Sequence, residues 1–214
     1  MTPLADYRAE FPILDTCTYL VSHSLGAMPR AARRELQRYA DEWDTRGVRA
    51  WHEGWWEVGR TTGDLLAPIL GVEPGTISMH QNVAIALGVI ASAYDFSGRR
   101  NRVVLSAAEF PSNVYLFEAW RRFGAEVVVV PAPDPVHPPT EALLAAIDDR
   151  TLLVPFSYVL FGSSAVQDAA AIVEKARRVG AHVIADTYQA AGTVPLSLAA
   201  LGVEYAVGGS VKWL

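Results

Sequence analysis

From residue 102 onward, the sequence alternates short apolar strands with amphipathic helices. Residues 127–130 are four consecutive valines, as expected for a strand that is covered on both faces. Strands that alternate with helices predict an α/β fold with a mainly parallel central sheet. The predicted strands are 102–106, 126–131, 152–157, 182–186 and 205–208, and the predicted helices between them are 113–123, 140–147, 165–179 and 196–201.

The N-terminal part of the chain predicts helices. Pro29 suits the first turn of a helix over 31–43, and a second helix over 55–70 ends at Gly71. We also expect short strands at 19–21 and 77–79 and an apolar helix at 84–93. We therefore divide the chain into an N-terminal segment with helices (1–75) and one α/β domain (76–214). Three tryptophans favour packing in a core or an interface: Trp51, Trp55 and Trp56.

Composition excludes several classes of protein. The net charge is −5 and the basic residues are scattered, which argues against a nucleic-acid partner. A single cysteine excludes a disulfide framework, and the five histidines lack the spacing of metal ligands. The N-terminus lacks the layout of a signal peptide, and no apolar run reaches the ~20 residues that span a bilayer. These features predict a cytoplasmic protein without a membrane segment.

Chemically distinctive side chains follow the predicted strands. Parallel sheets bind ligands beyond the carboxyl ends of their strands. The residues that this chain has there are Glu109, Phe110, Ser157, Asp186, Gln189, Ser210 and Lys212. Only two of the 18 basic residues are lysines, and Lys212 lies between Val211 and Trp213. A lysine in apolar surroundings becomes a nucleophile for carbonyl carbon, whereas a solvent-exposed lysine at a strand end needs no function.

Pyridoxal 5′-phosphate suits this set of residues. Its aldehyde needs a lysine, its pyridine nitrogen needs a carboxylate, and its phosphate suits a helix N-terminus such as that at Asn82. Gln189 can reach the same face as Asp186 and donate to the phenolic oxygen of the ring. The structural alternatives are a helix cap at Asp186, an ordinary capped helix at Asn82 and a loop hydrogen bond at Gln189. No dinucleotide, Walker A, nucleophile-elbow or zincin motif competes with this interpretation.

The same residues carry a family resemblance. The chain resembles the class V branch of the fold type I (aminotransferase-like) pyridoxal phosphate enzymes and, more narrowly, kynureninase. The matching stretches occur in the order of the family at 19–29, 110–113, 156–159, 186–192 and 210–214. The resemblance implies the three-layer large domain of these enzymes, preceded by an N-terminal helical segment.

The resemblance also implies roles for individual residues. Lys212 would form the Schiff base with the cofactor, Asp186 would pair with the pyridine nitrogen and Phe110 would stack on the ring. Ser157 would lie beside the cofactor, and Gln81 and Asn82 would hold its phosphate. The remaining implied cofactor-binding residues are Ser112, Asn113, Gln189 and Ser210.

Four positions depart from kynureninases. Gln189 stands where they usually have histidine, as in the desulfurase-type relatives, and Asn113 stands in place of aspartate. Val211 replaces a tyrosine, and His23 replaces an asparagine. The chain also stops two residues after Lys212, so we expect a truncated large domain without the small C-terminal domain.

The expected function follows from the resemblance. It is the hydrolytic Cβ–Cγ cleavage of kynurenine-like amino acids to alanine and an anthranilate-like acid, by a protein that is a homodimer at full length. The alternatives are another class V reaction (transamination, cysteine desulfuration or a lyase reaction) and a non-catalytic fragment.

Overall fold

The computed structural model describes residues 4–214, and its centre is a five-stranded parallel sheet in the order β2-β1-β3-β4-β5. The first three residues of the predicted segment 1–75 lie outside the described residues. The predicted α/β fold with a parallel sheet is confirmed. The strands are β1 (Arg102–Ser106), β2 (Glu126–Val130), β3 (Thr151–Ser157), β4 (His182–Asp186) and β5 (Tyr205–Val207).

The helices also follow the predicted pattern. The predicted helix 165–179 begins only at Ala169, because Asp168 caps it by accepting a hydrogen bond from the Ala171 amide at 3.0 Å. The α-helices are α1 (Arg30–Arg46), α2 (Trp56–Leu70), α3 (Val83–Ser92), α4 (Pro111–Trp120), α5 (Thr140–Ala146), α6 (Ala169–Val179) and α7 (Leu198–Leu201). A π-helical turn, Trp51–Trp55, leads into α2, and 3-10 turns occur at Leu4–Glu10, Pro12–Asp15 and Arg121–Phe123.

Two short predicted strands are wrong. Residues 19–21 and 77–79 have no regular secondary structure and do not belong to the sheet. The side chains of Leu20 and Met79 are 80% and 46% exposed, so neither segment has the buried face that would fix a strand in register. The residues at 19–21 have the composition of a strand, but Leu20 and Val21 are exposed.

The hydrophobic core lies on both faces of the sheet. Val103 and Leu105 of β1 face one cluster with α3 and α4, whereas Val104 faces a second cluster with α5 and α6. This two-sided burial explains why the strands are apolar at almost every position. It also leaves the carboxyl ends of the strands as the place where polar side chains gather.

The N-terminal helices are much less buried. Helix α1 contains no buried residue, and Trp51 and Trp56 are 44% and 73% exposed. Trp55 is partly buried and stacks on Tyr39 with ring centroids 4.9 Å apart. The tryptophans therefore lie outside the two core clusters, and their role in an interface stays a prediction. No helix in the described part of the chain has the length and apolar character needed to cross a membrane.

Candidate active site

The register of the sheet brings the predicted carboxylate beside the predicted serine. In the pairing of β3 with β4, Ser157 is the partner of Asp186, and Asp186 is in turn the partner of Val207 on β5. Helix α4 begins just after β1 and places Asn113 against the same point. The carboxyl ends of four strands thus converge as the alternating pattern predicted.

Asp186 is the buried carboxyl group at the centre of the site. It is 8% exposed, and it accepts hydrogen bonds from Asn113 Nδ2 at 2.8 Å and from the Tyr188 amide at 2.9 Å. Burial raises the pKa of Asp186, while these two hydrogen bonds and the charge of Lys212 oppose the rise. The Oδ1 atom of Asn113 is buried and has no hydrogen-bond partner among the residues that the structure describes. The site therefore holds an acceptor-rich buried centre.

Lys212 lies close enough to Asp186 for each to affect the other's ionisation. Burial lowers the pKa of Lys212, and the charge of Asp186 partly opposes this effect. Its Nζ atom lies 4.7 Å from the centroid of the Tyr188 ring and 6.0 Å from that of the Phe110 ring. The amine is thus flanked by aromatic rings and faces one carboxylate. The burial of the amine favours the neutral, nucleophilic form of the lysine, whereas Asp186 favours the ammonium.

A second buried carboxyl group lies behind Ser157. Glu109 is 3% exposed, and its Oε2 accepts hydrogen bonds from the Ser157 amide at 2.7 Å and from the Ser157 hydroxyl. Gln167 Nε2 donates to Glu109 Oε1 at 3.2 Å and to the Ser157 carbonyl at 2.7 Å. Burial, with a smaller contribution from the charge of Asp186, raises the pKa of Glu109 to about 7. The Ser157 hydroxyl therefore donates its proton to a hydrogen bond with Glu109.

The turn that carries Lys212 is held by the N-terminal segment. The Gly26 amide donates to the Val211 carbonyl at 2.7 Å. Gln189 joins the two segments because its Nε2 donates to the His23 carbonyl at 3.0 Å and its Oε1 accepts from Trp213 Nε1 at 3.2 Å. In this structure Gln189 thus makes the loop hydrogen bonds of the structural alternative. Its contact with a cofactor stays a prediction.

The predicted phosphate residues lie at the start of α3. Asn82 caps the helix by accepting from the Ile85 amide at 2.9 Å, and Gln81 beside it is exposed. Ser112 is partly buried in the first turn of α4, and Ser210 is exposed in the turn before Lys212. The ligand contacts of these four residues stay predictions.

Sequence reasoning missed the roles of three residues of the site. Glu109 follows the first predicted strand of the sheet. A carboxylate next to a buried strand end is a signal for a buried polar site, because a buried charge needs partners. Gln167 lies ten residues after Ser157, and nothing in the sequence indicates their contact. Tyr188 lies between Asp186 and Gln189, and the motif that contains these two residues assigns Tyr188 no role.

Comparison with known proteins decides the family. A family model described as aminotransferase class-V matches residues 18–214. The chain belongs to the class V aminotransferase family. This membership agrees with the resemblance that the motifs at 110–113, 186–192 and 210–214 carry.

Curated relatives of this class V chain include several kynureninases. Kynureninase of Burkholderia pseudomallei (strain K96243) is 28% identical over 99% of the chain and 52% of its own length. Kynureninase of Pseudomonas fluorescens is 29% identical over 99% of the chain and 51% of its own length. An uncharacterised aminotransferase of Bacillus subtilis (strain 168), YcbU, is 31% identical over 97% and 55%. The chain thus spans about half the length of the curated relatives it matches.

Solved structures share the fold of this class V chain. A mutant of C-DES with glycine covalently linked to its PLP cofactor superposes with a TM-score of 0.84 at 22% identity, over 96% of this chain and 56% of that one. The cysteine desulfurase CsdA of Escherichia coli superposes with a TM-score of 0.82 at 20% identity, over 99% and 55%. These likenesses establish the fold.

Proposed function

We propose that the chain carries the cofactor-binding core of a pyridoxal 5′-phosphate enzyme, with Lys212 as the lysine that would hold the cofactor aldehyde. The observation that carries the proposal is the placement of a partly buried lysine beside a buried carboxylate. Membership of the class V family supports it, as does the cofactor present in the C-DES structure. The boundary near residue 75 between an N-terminal segment and this core is part of the proposal.

The residues fit such a cofactor. Asp186 is a buried carboxylate whose two oxygens already accept from Asn113 and Tyr188, and a protonated ring nitrogen would supply the cationic donor that such a buried group lacks. Asn113 contributes a further buried oxygen atom, which has no hydrogen-bond partner within the described part of the chain. The Phe110 ring is 44% exposed and offers a face for stacking beside Lys212.

Each residue has a definable task. When bound, pyridoxal phosphate supplies an electron sink that stabilises negative charge on the α-carbon of an amino acid. Asp186 would keep the proton on the ring nitrogen, and Phe110 would fix the plane of the ring. The Lys212 amine, whose pKa is lowered by burial, would act as nucleophile toward the aldehyde and would carry a proton on Nζ.

The reaction that we propose for the whole protein is of the kynureninase type. It is the hydrolytic cleavage of the Cβ–Cγ bond of a kynurenine-like amino acid, which yields alanine and an anthranilate-like acid. The kynureninases of Burkholderia pseudomallei (strain K96243) and Pseudomonas fluorescens, which match 99% of this chain at 28% and 29% identity, support it. We further propose that the whole protein is a cytoplasmic homodimer that acts on a small amino acid.

A second candidate is another class V reaction, such as transamination or cysteine desulfuration. Gln189 favours it, because this position resembles the glutamine of desulfurase-type relatives rather than the histidine of kynureninases. The Gln189 side chain donates to the His23 carbonyl and accepts from Trp213 Nε1, so an amide takes the position of the histidine of kynureninases. A chain without catalytic activity is the remaining alternative.

The presence of only two lysines makes the cofactor test direct. The chain is mixed with pyridoxal phosphate, reduced with borohydride and digested, and the pyridoxyl mass is located on peptides. We expect it on Lys212 and expect Lys212→Arg to lose it. Lys175→Arg, in α6, is the matched control and should keep it. Labelling of Lys175 and the N-terminal amine without Lys212 would refute the cofactor proposal.

The reaction is tested separately with the cofactor-loaded protein. Kynurenine, cysteine and alanine with a keto acid are supplied in parallel, and the products are identified by mass spectrometry. Alanine and anthranilate from kynurenine would support the kynureninase-type reaction. Sulfide or persulfide from cysteine, or exchange of the amino group, would support the second candidate. If none of these substrates gives a product, the chain binds the cofactor without catalysing a reaction, which is the remaining alternative.

A further inference from the structure

Tyr188 touches both members of the Asp186–Lys212 pair. Its backbone amide donates to Asp186 Oδ1 at 2.9 Å, and its ring centroid lies 4.7 Å from Lys212 Nζ. An ammonium group within about 6 Å of an aromatic centroid is attracted by the negative face of the ring. One residue therefore binds the carboxylate through its main chain and approaches the amine through its side chain.

The two glycines after β5 pack closely on Thr187 and Tyr188, and Gly209 makes room for the Tyr188 ring. A Cβ atom at Gly209 would lie 2.5 Å from Tyr188 Cζ and 2.6 Å from its hydroxyl oxygen. A Cβ atom at Gly208 would lie 2.7 Å from the hydroxyl oxygen of Thr187. The ring is thus packed directly on the backbone that leads to Lys212, and a side chain at residue 209 would displace it.

We propose that Tyr188 is a positioning residue that holds the Lys212 ammonium over its ring, in a space that Gly209 provides. The inference rests on the proposed function only in taking Lys212 as the reactive lysine of the site. The charge that acts on the Lys212 amine is that of Asp186 on β4. The start of α4 contributes the Phe110 ring, and the N-terminal segment approaches Lys212 through the backbone at Gly26. Tyr188 lies on the turn that joins these groups.

The consequence is a balance between two effects on the lysine. Burial favours the neutral amine, while the ring face and Asp186 favour the ammonium. Tyr188 would therefore keep Lys212 charged and in place until a carbonyl compound arrives. Loss of the ring should make the amine neutral at a lower pH and leave it less fixed in position.

The test measures the ionisation of Lys212 in the chain without added cofactor. Acetic anhydride labels neutral amines, so the labelling rate of Lys212 rises with pH to a plateau. The midpoint is the pH at which the rate is half of the plateau value, and it reports the pKa of Lys212. Lys175 is the internal reference. We expect Tyr188→Leu to lower this midpoint by about 0.5 to 1 pH unit and Tyr188→Phe to lower it by less than half as much. The midpoint of Lys175 should not change.

Gly209→Ala provides an independent test, because it displaces the ring while the tyrosine remains. Its matched control is Gly98→Ala, in an exposed turn where a Cβ atom would meet nothing within 4 Å. We expect Gly209→Ala to lower the midpoint of Lys212 and Gly98→Ala to leave it unchanged. A midpoint that stays constant or rises in both Tyr188→Leu and Gly209→Ala would overturn the proposal. If Tyr188→Leu fails to fold, as judged by circular dichroism, Gly209→Ala decides.

Cofactor uptake separates this inference from the proposed function. If Lys212 takes up no pyridoxal phosphate but its midpoint shifts as expected, the proposed function fails and the role of Tyr188 stands. If Lys212 takes up the cofactor and the midpoint does not shift, the proposed function stands and the role of Tyr188 fails.

Discussion

Asn113 donates a hydrogen bond from Nδ2 to Oδ2 of Asp186 at 2.8 Å, across 73 positions of the chain. Both residues are buried, at 3% and 8% exposure. The bond joins the first turn of α4 to the end of β4 and stabilises the carboxylate form of Asp186. An asparagine is suited to this position, because an aspartate there would bring a second negative charge to the same buried point.

Replacement of Asn113 by leucine should destabilise the fold in a pH-dependent way. The variant leaves Asp186 buried with one donor fewer, which costs about 1–3 kcal/mol of unfolding free energy near pH 8. The pKa of Asp186 would rise further, and a raised carboxyl pKa lowers stability as the pH increases. The loss measured by urea unfolding should therefore be smaller at pH 5. Asn101→Leu, which removes a bond to the neutral Gly124 carbonyl, should show an equal loss at both pH values.

Glu109 should make the stability of the protein fall as the pH rises. Its pKa is about 7 in the fold and near the ordinary 4.5 when unfolded, so the unfolded chain binds fewer protons between these values. The unfolding free energy should therefore decrease by up to about 3 kcal/mol between pH 4.5 and 7 because of this group. Glu109→Gln keeps the acceptor and should remove that part of the slope in urea titrations.

Glu118→Gln is the control for Glu109. Its hydrogen bond with Arg121 lowers the pKa of Glu118, so its contribution has the opposite sign and is present above the ordinary pKa. Because this pair is largely exposed, the slope should change little. A slope that persists unchanged in Glu109→Gln would contradict the buried, protonatable state of Glu109.

Two glycine-to-alanine changes should act in opposite directions. A Cβ atom at Gly26 would clash with the Lys212 carbonyl oxygen, so Gly26→Ala must displace backbone and should cost about 1–3 kcal/mol. In α2, a Cβ atom at Gly59 would meet nothing within 4 Å, and Gly59→Ala should stabilise by about 0.5–1 kcal/mol. Thermal and urea unfolding measure both. A neutral Gly26→Ala would mean that the N-terminal segment does not pack on the lysine turn.

The tryptophans near α2 should differ in their contribution to stability. Trp55 stacks on Tyr39 and donates from Nε1 to Glu42 at 2.8 Å, so Trp55→Ala should cost about 2–4 kcal/mol. Trp56 is 73% exposed, and Trp56→Ala should change the unfolding free energy by less than about 0.5 kcal/mol. Far-ultraviolet circular dichroism in urea compares the variants without depending on tryptophan fluorescence. An equal, large loss in both would show that the chain covers Trp56 in solution.

Strand prediction succeeded for segments that pack in the sheet between two core clusters, and it failed for two segments that have no buried face. The four valines of β2 form a strand with two buried and two partly buried positions, and the predicted bounds 182–186 match those of β4. Residues 77–79 have the composition of a strand but no partner and no buried face, and the sequence contains no sign of that difference. Secondary structure is thus readable from local pattern only when the pattern reflects the environment.

The candidate site was partly foreseeable for the same reason. Parallel strands must end at one edge, so Ser157, Asp186 and Lys212 could be grouped without knowing the order of the strands. Glu109 was visible but had no assigned partner, because its bonds to Ser157 and Gln167 cross 48 and 58 positions. The contact of Tyr188 with Lys212 depends on the path of the backbone through Gly208 and Gly209, which no local pattern encodes.

The sequence by itself determined the alternation of strands and helices, the family resemblance and the scarcity of lysine that singles out Lys212. Tertiary structure alone decided the strand order, the pairing of Ser157 with Asp186, the burial of Glu109 and the ring beneath the lysine amine. The physical reason is that periodicity and residue type act over a few neighbouring positions. Burial and ionisation depend instead on groups that folding brings together from distant parts of the chain.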